Sequence, residues 1–420
     1  MSTKTLSTYS NYRWLVAVTL FFGLLGLNVL WFGPSPLLTV IMEDLNINMM
    51  QGGLMMSIVC LVVALTDIPA GKLLVKIGEY KIYLLALMFV GLGATAVYWA
   101  SSYAFLLVSR LVVGVGFGLA MPVAGAVIMK WFPEKERSYL NTINSVLPYI
   151  ATTITFSCTV TLYQIFNQSW RLTLAMAGVY ALVIMFFWGL VGRRNATNQK
   201  ITVEERQTAT SNSSNLLKDV LTNREVILIS LADAGDMWSF QFLSSYLPTY
   251  YTTEAGLSLA EAANLTAIFP IAGILAGILC GTLMSLLGKR KPFTWPLHLM
   301  IFGGTFLAIY GEGVLRIIGI SMAGFGNAGW APALFTMPME FENMTPEKVG
   351  LVYATMLCLG YTAAFISPWL GGWLSQWFSL RAIIFAFSFS SLVAAIATFL
   401  MKETGPSAKE KARKGEVCCD

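Results

Sequence analysis

Twelve apolar runs, each close to the length that crosses a lipid bilayer, constrain the fold of this chain more than any other feature. A transmembrane helix needs about 20 apolar residues to span the hydrocarbon core. Hydrophobic residues make up 56% of the 420 residues and charged residues only 12%, too few to cover a water-facing surface. We therefore predict an all-α integral membrane protein with twelve transmembrane helices. The runs, numbered spans 1 to 12, are 14–41, 51–73, 81–100, 104–130, 138–164, 170–192, 225–251, 261–287, 292–312, 314–340, 347–376 and 380–401.

The Lys and Arg residues fall mainly on one side of these spans. If the N-terminus lies inside the cell, 23 of the 27 lie in the tails and inward loops, as the positive-inside rule requires. We predict a multi-pass protein of the cytoplasmic (inner) membrane with both termini in the cytoplasm. The net charge of +5 follows from this bias, so we expect the lipid bilayer and no nucleic acid as a partner, and a monomer.

The chain repeats itself at an offset of 210 residues, half its length. Seven identities in one register indicate a duplicated half. They are Gly71 with Gly281, Gly78 with Gly288, Lys81 with Lys291, Gly114 with Gly324, Gly116 with Gly326, Pro122 with Pro332 and Arg171 with Arg381. We predict two pseudo-symmetric six-helix halves. The N-terminal half, a cytoplasmic linker, the C-terminal half and a mobile cytoplasmic tail cover residues 1–192, 193–224, 225–401 and 402–420.

Ligands for a metal or a redox cofactor are scarce in the sequence. The chain has one histidine, His298, and six cysteines without metal-ligand spacing. We therefore predict no metal site, no cofactor and no enzymatic activity. The sequence also lacks a Gly-rich lysine loop for nucleotide binding, which argues against a primary pump.

A glycine-containing basic motif follows spans 2 and 8. The first copy carries Gly71, Lys76, Gly78 and Lys81, and the second carries Gly281, Gly288, Lys289, Arg290 and Lys291. With the two six-span halves and the central basic loop, this motif resembles that of the major facilitator superfamily of secondary transporters, over residues 13 to about 402. In that family an acidic residue in the loop helps to latch the halves on the cytoplasmic side. Val75 and Ser285 occupy its positions here, and Asp67 is the nearest substitute.

Further motifs extend the resemblance. Arg110, followed by spaced glycines, matches the arginine of the family's fourth span, and Glu136 with Arg137 matches the pair in the loop that follows. The glycine–proline motif of the family's antiporters is missing from span 5, where Pro148 stands without glycines. The string SYLPTYYTTEAGLS at the end of span 7 is similar to the bacterial cyanate and nitroimidazole permeases. The resemblance implies a cytoplasmic gate with turn-forming glycines, to which we assign Asp67, Gly71, Lys76, Gly78, Glu136, Arg137, Gly281, Gly288 and Arg290.

Ionisable residues inside a span cost at least about 2.5–3.5 kcal/mol to insert, so they indicate function by default. Asp233 and Asp236 share one face of span 7, with Asp236 about 15 Å deep. The resemblance places spans 1, 4, 7 and 10 around a central path, across which Arg110 is expected to face these carboxylates. We assign the three a role in substrate binding or proton coupling; fixed hydrogen bonds to neighbouring helices are the alternative. Other residues that could line the path, or serve helix packing, are Asn28, Trp31, Trp238, Gln241, Asn327 and Trp330.

These features predict a secondary active transporter that moves a small organic solute by alternating access. Two acids near one arginine fit proton-coupled symport of a small organic anion or neutral solute. Proton-coupled or exchange transport of an organic cation or drug is the first alternative. A non-transporting sensor or a channel on the same fold is an alternative of another class.

Overall fold

The computed structural model describes residues 12–192, 220–342 and 344–407, and all regular structure in these ranges is helical. Eleven helical segments there are long and apolar enough to cross a membrane. Span 10 is the predicted span that is not among these eleven, because it is broken into two shorter helices. The predicted all-α membrane fold is confirmed. Most of the predicted linker, residues 193–219, and of the predicted tail, residues 408–420, lies outside the described residues.

The helices follow the predicted spans in order. Those of the N-terminal half are Tyr12–Phe32 and Leu38–Asp44 (span 1), Met49–Ala96 (spans 2 and 3), Tyr103–Ala120 and Val123–Trp131 (span 4), Glu134–Ile165 (span 5) and Trp170–Gly192 (span 6). Those of the C-terminal half are Arg224–Thr253 (span 7), Leu259–Leu287 (span 8), Trp295–Tyr310 (span 9), Val314–Gly329 and Ala331–Glu340 (span 10), Pro346–Leu374 (span 11) and Leu380–Leu400 (span 12).

Spans 1, 4 and 10 are broken at prolines. Proline has no backbone N–H and clashes with the preceding helical turn, so it interrupts the hydrogen-bond ladder. Span 1 breaks at Pro34 and Pro36, span 4 at Pro122 and span 10 at Pro332. The last two prolines are equivalent in the 210-residue repeat. Broken helices are tolerated inside a membrane only where protein or a water-filled cavity satisfies the freed backbone groups.

Two of the four motif glycines make the predicted turns. Gly78 has φ +82° and separates spans 2 and 3, which otherwise form one continuous helix. Gly288 has φ +61° and caps span 8. Both angles lie in the left-handed region that favours glycine. Gly71 and Gly281 stand inside helices, so the prediction of a turn is wrong at these two positions.

We call the side that carries Tyr12 and residues 401–407 the terminal side, and the other the opposite side. On the terminal side the start of the tail is docked. Glu403 accepts hydrogen bonds from the backbone N–H of Arg290 and Lys291 at 2.7 and 3.0 Å, and the Ser407 hydroxyl donates to the Gly288 carbonyl. The prediction that the chain becomes mobile after residue 402 is therefore wrong for residues 403–407.

Candidate functional site

The two halves meet around a buried carboxylate midway along span 7. Asp236 is 2% exposed. The amide nitrogen of Asn327 on span 10 donates to both of its oxygens, at 2.9 and 3.0 Å. The hydroxyl of Tyr149, on span 5 of the other half, donates to the Asn327 amide oxygen at 3.1 Å. A continuous polar relay therefore runs from the N-terminal half to Asp236.

A second contact lies on the pseudo-two-fold axis. The indole nitrogen of Trp31 donates to the amide oxygen of Gln241 at 3.3 Å, and the Ser35 hydroxyl approaches the Ser245 carbonyl at 3.2 Å. Each pair is separated by 210 residues, so its two members are equivalent positions of the repeat. Equivalent residues touch each other only near a two-fold axis. Spans 1 and 7 therefore cross on the axis that relates the halves.

Arg110 donates hydrogen bonds to the backbone at the break in span 1. Its guanidinium donates to the carbonyls of Leu30 and Trp31, each at 2.8 Å, and to that of Met55 at 3.3 Å. The Leu30 carbonyl is free because Pro34 has no N–H to donate to it. Within the described chain no ion pair joins Arg110 to Asp233 or Asp236. Arg110 therefore forms no direct pair with either acid in this conformation, and the expectation that these charges face each other across the path stays a prediction.

We expect Arg110→Ala to destabilise the protein. The substitution leaves the Leu30 and Trp31 carbonyls without a donor in a buried site, at about 1–3 kcal/mol each, so the loss should reach about 3 kcal/mol. Thermal unfolding in detergent measures it, with Arg316→Ala as the matched control because Arg316 donates to one carbonyl, that of Gly311. An Arg110→Ala protein that unfolds like the wild type but no longer binds solute would instead assign Arg110 to substrate binding.

Asp233 is a second buried acid, 4% exposed. It lies against span 11, where its Oδ2 is 2.6 Å from the point that a Cβ on Gly360 would occupy. No residue in the described ranges donates a hydrogen bond to it. A buried carboxylate without a donor is stable only when neutral or when a ligand supplies the partner. Asp233 therefore has hydrogen-bonding capacity left for a solute, whereas both oxygens of Asp236 already accept from Asn327.

Aromatic side chains surround these groups. Trp31 contacts Phe117 and Tyr361, with ring centroids 4.5 and 6.1 Å away. Phe240 lies 5.6 to 6.1 Å from the rings of Phe32, Tyr149 and Phe269. Our sequence analysis did not assign Phe117, Tyr149 or Tyr361 to the path. Aromatic residues make up 13% of the chain, and nothing in the sequence distinguishes these three from rings that face lipid.

The structure brings together some of the predicted lining residues. Trp31, Gln241 and Asn327 are buried around the contact between the halves, and Asn28 lies one helical turn before Trp31 with part of its surface exposed. The other two tryptophans lie in the interior of the C-terminal half. Trp330 packs on His298 of span 9, with ring centroids 4.6 Å apart, and Trp238 packs on Phe387 of span 12, with ring centroids 5.0 Å apart.

The predicted gate residues fall into two separate groups on the terminal side. In the N-terminal half Arg13 pairs with Glu136 at 2.7 Å, and Lys130 pairs with Glu79. In the C-terminal half Arg290 pairs with Glu340 at 2.8 Å. Among residues 12–192, 220–342 and 344–407, no ion pair connects the two halves. The described terminal side thus has two local clusters instead of a latch.

The remaining predicted gate residues add no link between the halves. The Arg137 guanidinium donates to the carbonyls of Phe132 and Met129, both at 2.8 Å, within its own half. Asp67 is partly exposed and Lys76 is exposed, and no hydrogen bond or ion pair reaches either side chain in the described chain. Their assignment to a gate stays a prediction.

The opposite side is held closed by contacts between the halves. The Tyr246 hydroxyl lies 2.8 Å from the Met49 carbonyl on span 2 and 3.1 Å from the Pro368 carbonyl on span 11. The Ser35 hydroxyl donates to the Ser244 carbonyl at 2.6 Å. These contacts seal the molecule beyond the acids, whereas Tyr149, Phe240 and Tyr361 keep part of their surface exposed.

A model of the Major Facilitator Superfamily matches residues 16–342. The chain belongs to this superfamily. A similar solved structure is a bacterial homolog to the human lysosomal transporter Spinster, in an inward-facing and unoccupied conformation. Its TM-score is 0.76, its sequence identity is 16%, and the match covers 98% of this chain and 100% of that one. The family match confirms the predicted family, and the shared fold confirms the predicted architecture.

Curated relatives of this superfamily member are transporters. A probable galactarate/D-glucarate transporter of Escherichia coli K12 is 23% identical, over 85% of this chain and 87% of that protein. A gallate transporter of Pseudomonas putida is 23% identical, over 86% and 85%. A probable sulfoacetate transporter of Cupriavidus necator is 24% identical, over 80% and 81%. The predicted class, a transporter and not an enzyme, is confirmed; the likeness to cyanate and nitroimidazole permeases stays a prediction.

Proposed function

We propose that this protein carries a small organic anion across the cytoplasmic membrane together with protons, by alternating access. The observation that supports this most is the Tyr149–Asn327–Asp236 relay, which ties a buried carboxylate of one half to the other half. The anionic substrate is supported by the curated relatives, since galactarate, glucarate, gallate and sulfoacetate are all small organic anions.

The charges around the path favour proton symport. Asp233 and Asp236 are both buried, and the three hydrogen bonds of Arg110 go to backbone carbonyls. An anion that enters beside two ionised carboxylates meets strong repulsion in a medium of low polarity. Protonation of the carboxyls removes this repulsion and converts them into hydrogen-bond donors. Anion binding and proton uptake should therefore occur together.

The relay offers a way for the proton to change the contact between the halves. An ionised Asp236 accepts from Asn327 with both oxygens, which orients the amide oxygen towards Tyr149. A protonated Asp236 has one oxygen that donates, so it no longer holds the amide in the same way. The bond from Tyr149 then weakens, and the halves can separate at spans 5 and 10.

We further propose that the terminal side is cytoplasmic and that this conformation is inward-facing. The sealed opposite side and the Lys and Arg bias of the loops support both statements. Residues 1–192 and residues 225–401 are the two proposed units that rock against each other during transport. Both belong to the same monomer. The ion-pair clusters at Glu136 and Arg290 would approach each other when the terminal side closes.

Uptake into liposomes that contain the purified protein tests the proposed function. We expect D-glucarate, gallate or sulfoacetate to accumulate when the outside is more acidic than the inside, and accumulation to stop when an ionophore collapses the gradient. Liposomes without protein are the control. Proton-driven expulsion of an amine, without movement of any acid, would replace the proposal by the organic-cation alternative.

A further inference from the structure

The polar groups of the site are largely occupied by the protein itself. Both ends of the Gln241 amide are bonded, to Trp31 and to Ser245, and both ends of the Asn327 amide are bonded, to Asp236 and Tyr149. The Asn28 amide nitrogen donates to the Leu24 carbonyl at 2.8 Å. A polyhydroxylated solute needs a free partner for each of its hydroxyls, because a buried polar group without a hydrogen-bond partner is destabilising. The site offers few such partners.

The site instead offers aromatic side chains against which a solute can pack. Phe240, Tyr149 and Tyr361 keep part of their surface exposed at the contact between the halves. Tyr361 contacts Trp31, which itself packs on Phe117, and Phe240 contacts Phe32 and Phe269. Aromatic pairs prefer offset-stacked or edge-to-face geometry with centroids about 4.5–7 Å apart. A planar ring that enters here can take either geometry against these walls.

One hydroxyl in the site lacks a strong partner. The Tyr361 hydroxyl contacts only the Met121 sulfur, at 3.9 Å, within the described chain, and a thioether is a weak acceptor. Asp233 lies against Gly360, the residue before Tyr361 in the chain, and no residue in the described ranges donates to it. A carboxylate on the solute would accept from the Tyr361 hydroxyl and from a protonated Asp233, since both are donors.

From these contacts we infer that the transported anion is an aromatic carboxylate whose ring lies against Phe240 and Tyr361 and whose carboxylate meets the Tyr361 hydroxyl and Asp233. The inference rests on the proposed function, because it names the substrate class of the same site. The gallate transporter among the relatives is named for such an acid, whereas the galactarate/D-glucarate and sulfoacetate transporters are named for acids without a ring.

Matched acids test the inference on the purified full-length protein. Benzoate and cyclohexanecarboxylate have the same charge and nearly the same size but differ in the ring's π system. We expect benzoate to bind about fivefold more tightly, as one aromatic contact of about 1 kcal/mol implies, and D-glucarate to bind more weakly than either. Thermal stabilisation at a series of ligand concentrations gives the three affinities.

Two variants test which residues cause the preference for benzoate and which bind the carboxylate. Phe240→Leu keeps apolar bulk and should bring the benzoate preference close to unity, whereas Phe389→Leu on the exposed face of span 12 should leave it unchanged. Tyr361→Phe removes one donor and should weaken both acids by a similar factor, leaving their ratio intact. This second variant tests the position of the carboxylate and does not depend on whether Phe240→Leu folds; unchanged affinity for both acids would contradict that position.

The outcomes separate the inference from the proposed function. Equal binding of benzoate and cyclohexanecarboxylate, or tighter binding of D-glucarate, overturns the aromatic substrate class. If pH-driven uptake of a ring-free acid accompanies that result, the proposed anion symport is retained and only the aromatic substrate class is rejected. Absence of both binding and uptake for every acid in the panel overturns the proposed function and the inference together.

Discussion

Replacing Asp236 by Asn should reduce pH-driven uptake to the level of liposomes without protein. The asparagine has the same size and can still accept from Asn327, so the fold should survive. It cannot take up and release a proton, so the relay to Tyr149 no longer responds to the gradient. Exchange of labelled for unlabelled solute without a gradient should continue. Initial uptake rates and exchange rates, measured side by side, separate the two activities.

The control for this substitution is Asp44→Asn. Asp44 pairs with Arg171 at 2.7 Å on the opposite side and is largely accessible, so its loss should leave coupling intact because exposed ion pairs contribute little. Tyr149→Phe is the companion variant: it keeps the ring but loses the bond to Asn327, and it should flatten the dependence of uptake on pH. Full pH-dependent uptake by Asp236→Asn would remove this residue from the coupling mechanism.

Replacing Gly53 or Gly372 by Ala should also abolish uptake, by preventing closure of the opposite side. A Cβ on Gly53 would lie 2.1 Å from the Pro368 carbonyl oxygen and 2.4 Å from the Tyr246 hydroxyl oxygen. A Cβ on Gly372 would lie 2.4 Å from the Met49 carbonyl oxygen. Backbone atoms at such distances cannot yield without separation of the two halves, so the sealed state is lost and the transport cycle cannot be completed.

Thiol labelling measures this loss of closure directly. A cysteine introduced at Ser244, which is 1% exposed, should react with a membrane-impermeant reagent from the opposite side only when the glycine is substituted. The same glycine variant without Ser244→Cys gives the background from native cysteines. Gly303→Ala is the matched control, because no atom lies within 4 Å of its Cβ position. Wild-type transport by Gly53→Ala would show that this seal is not part of the cycle.

Much of the architecture follows from local properties of the sequence. The length of each apolar run sets a span. Prolines lie at the breaks in spans 1, 4 and 10 and remove an N–H there, although other prolines, such as Pro148 and Pro368, stand inside continuous helices. The 210-residue repeat also implied a two-fold axis, on which Trp31 and Gln241 meet. Two residues that our sequence analysis assigned to the path are thus equivalent positions of the repeat.

Only the tertiary structure decided which faces of the helices meet. Helices that are apolar on all sides carry little amphipathic signal, so the sequence does not show their rotation about their own axes. Trp238 therefore packs inside the C-terminal half, while Tyr149 and Tyr361 join the site. The sequence placed Arg110 in span 4, but only packing showed that its guanidinium donates to carbonyls at the break in span 1. The sequence alone thus determined the spans, the repeat and the buried acids, whereas packing between distant helices determined the partner of each charged group.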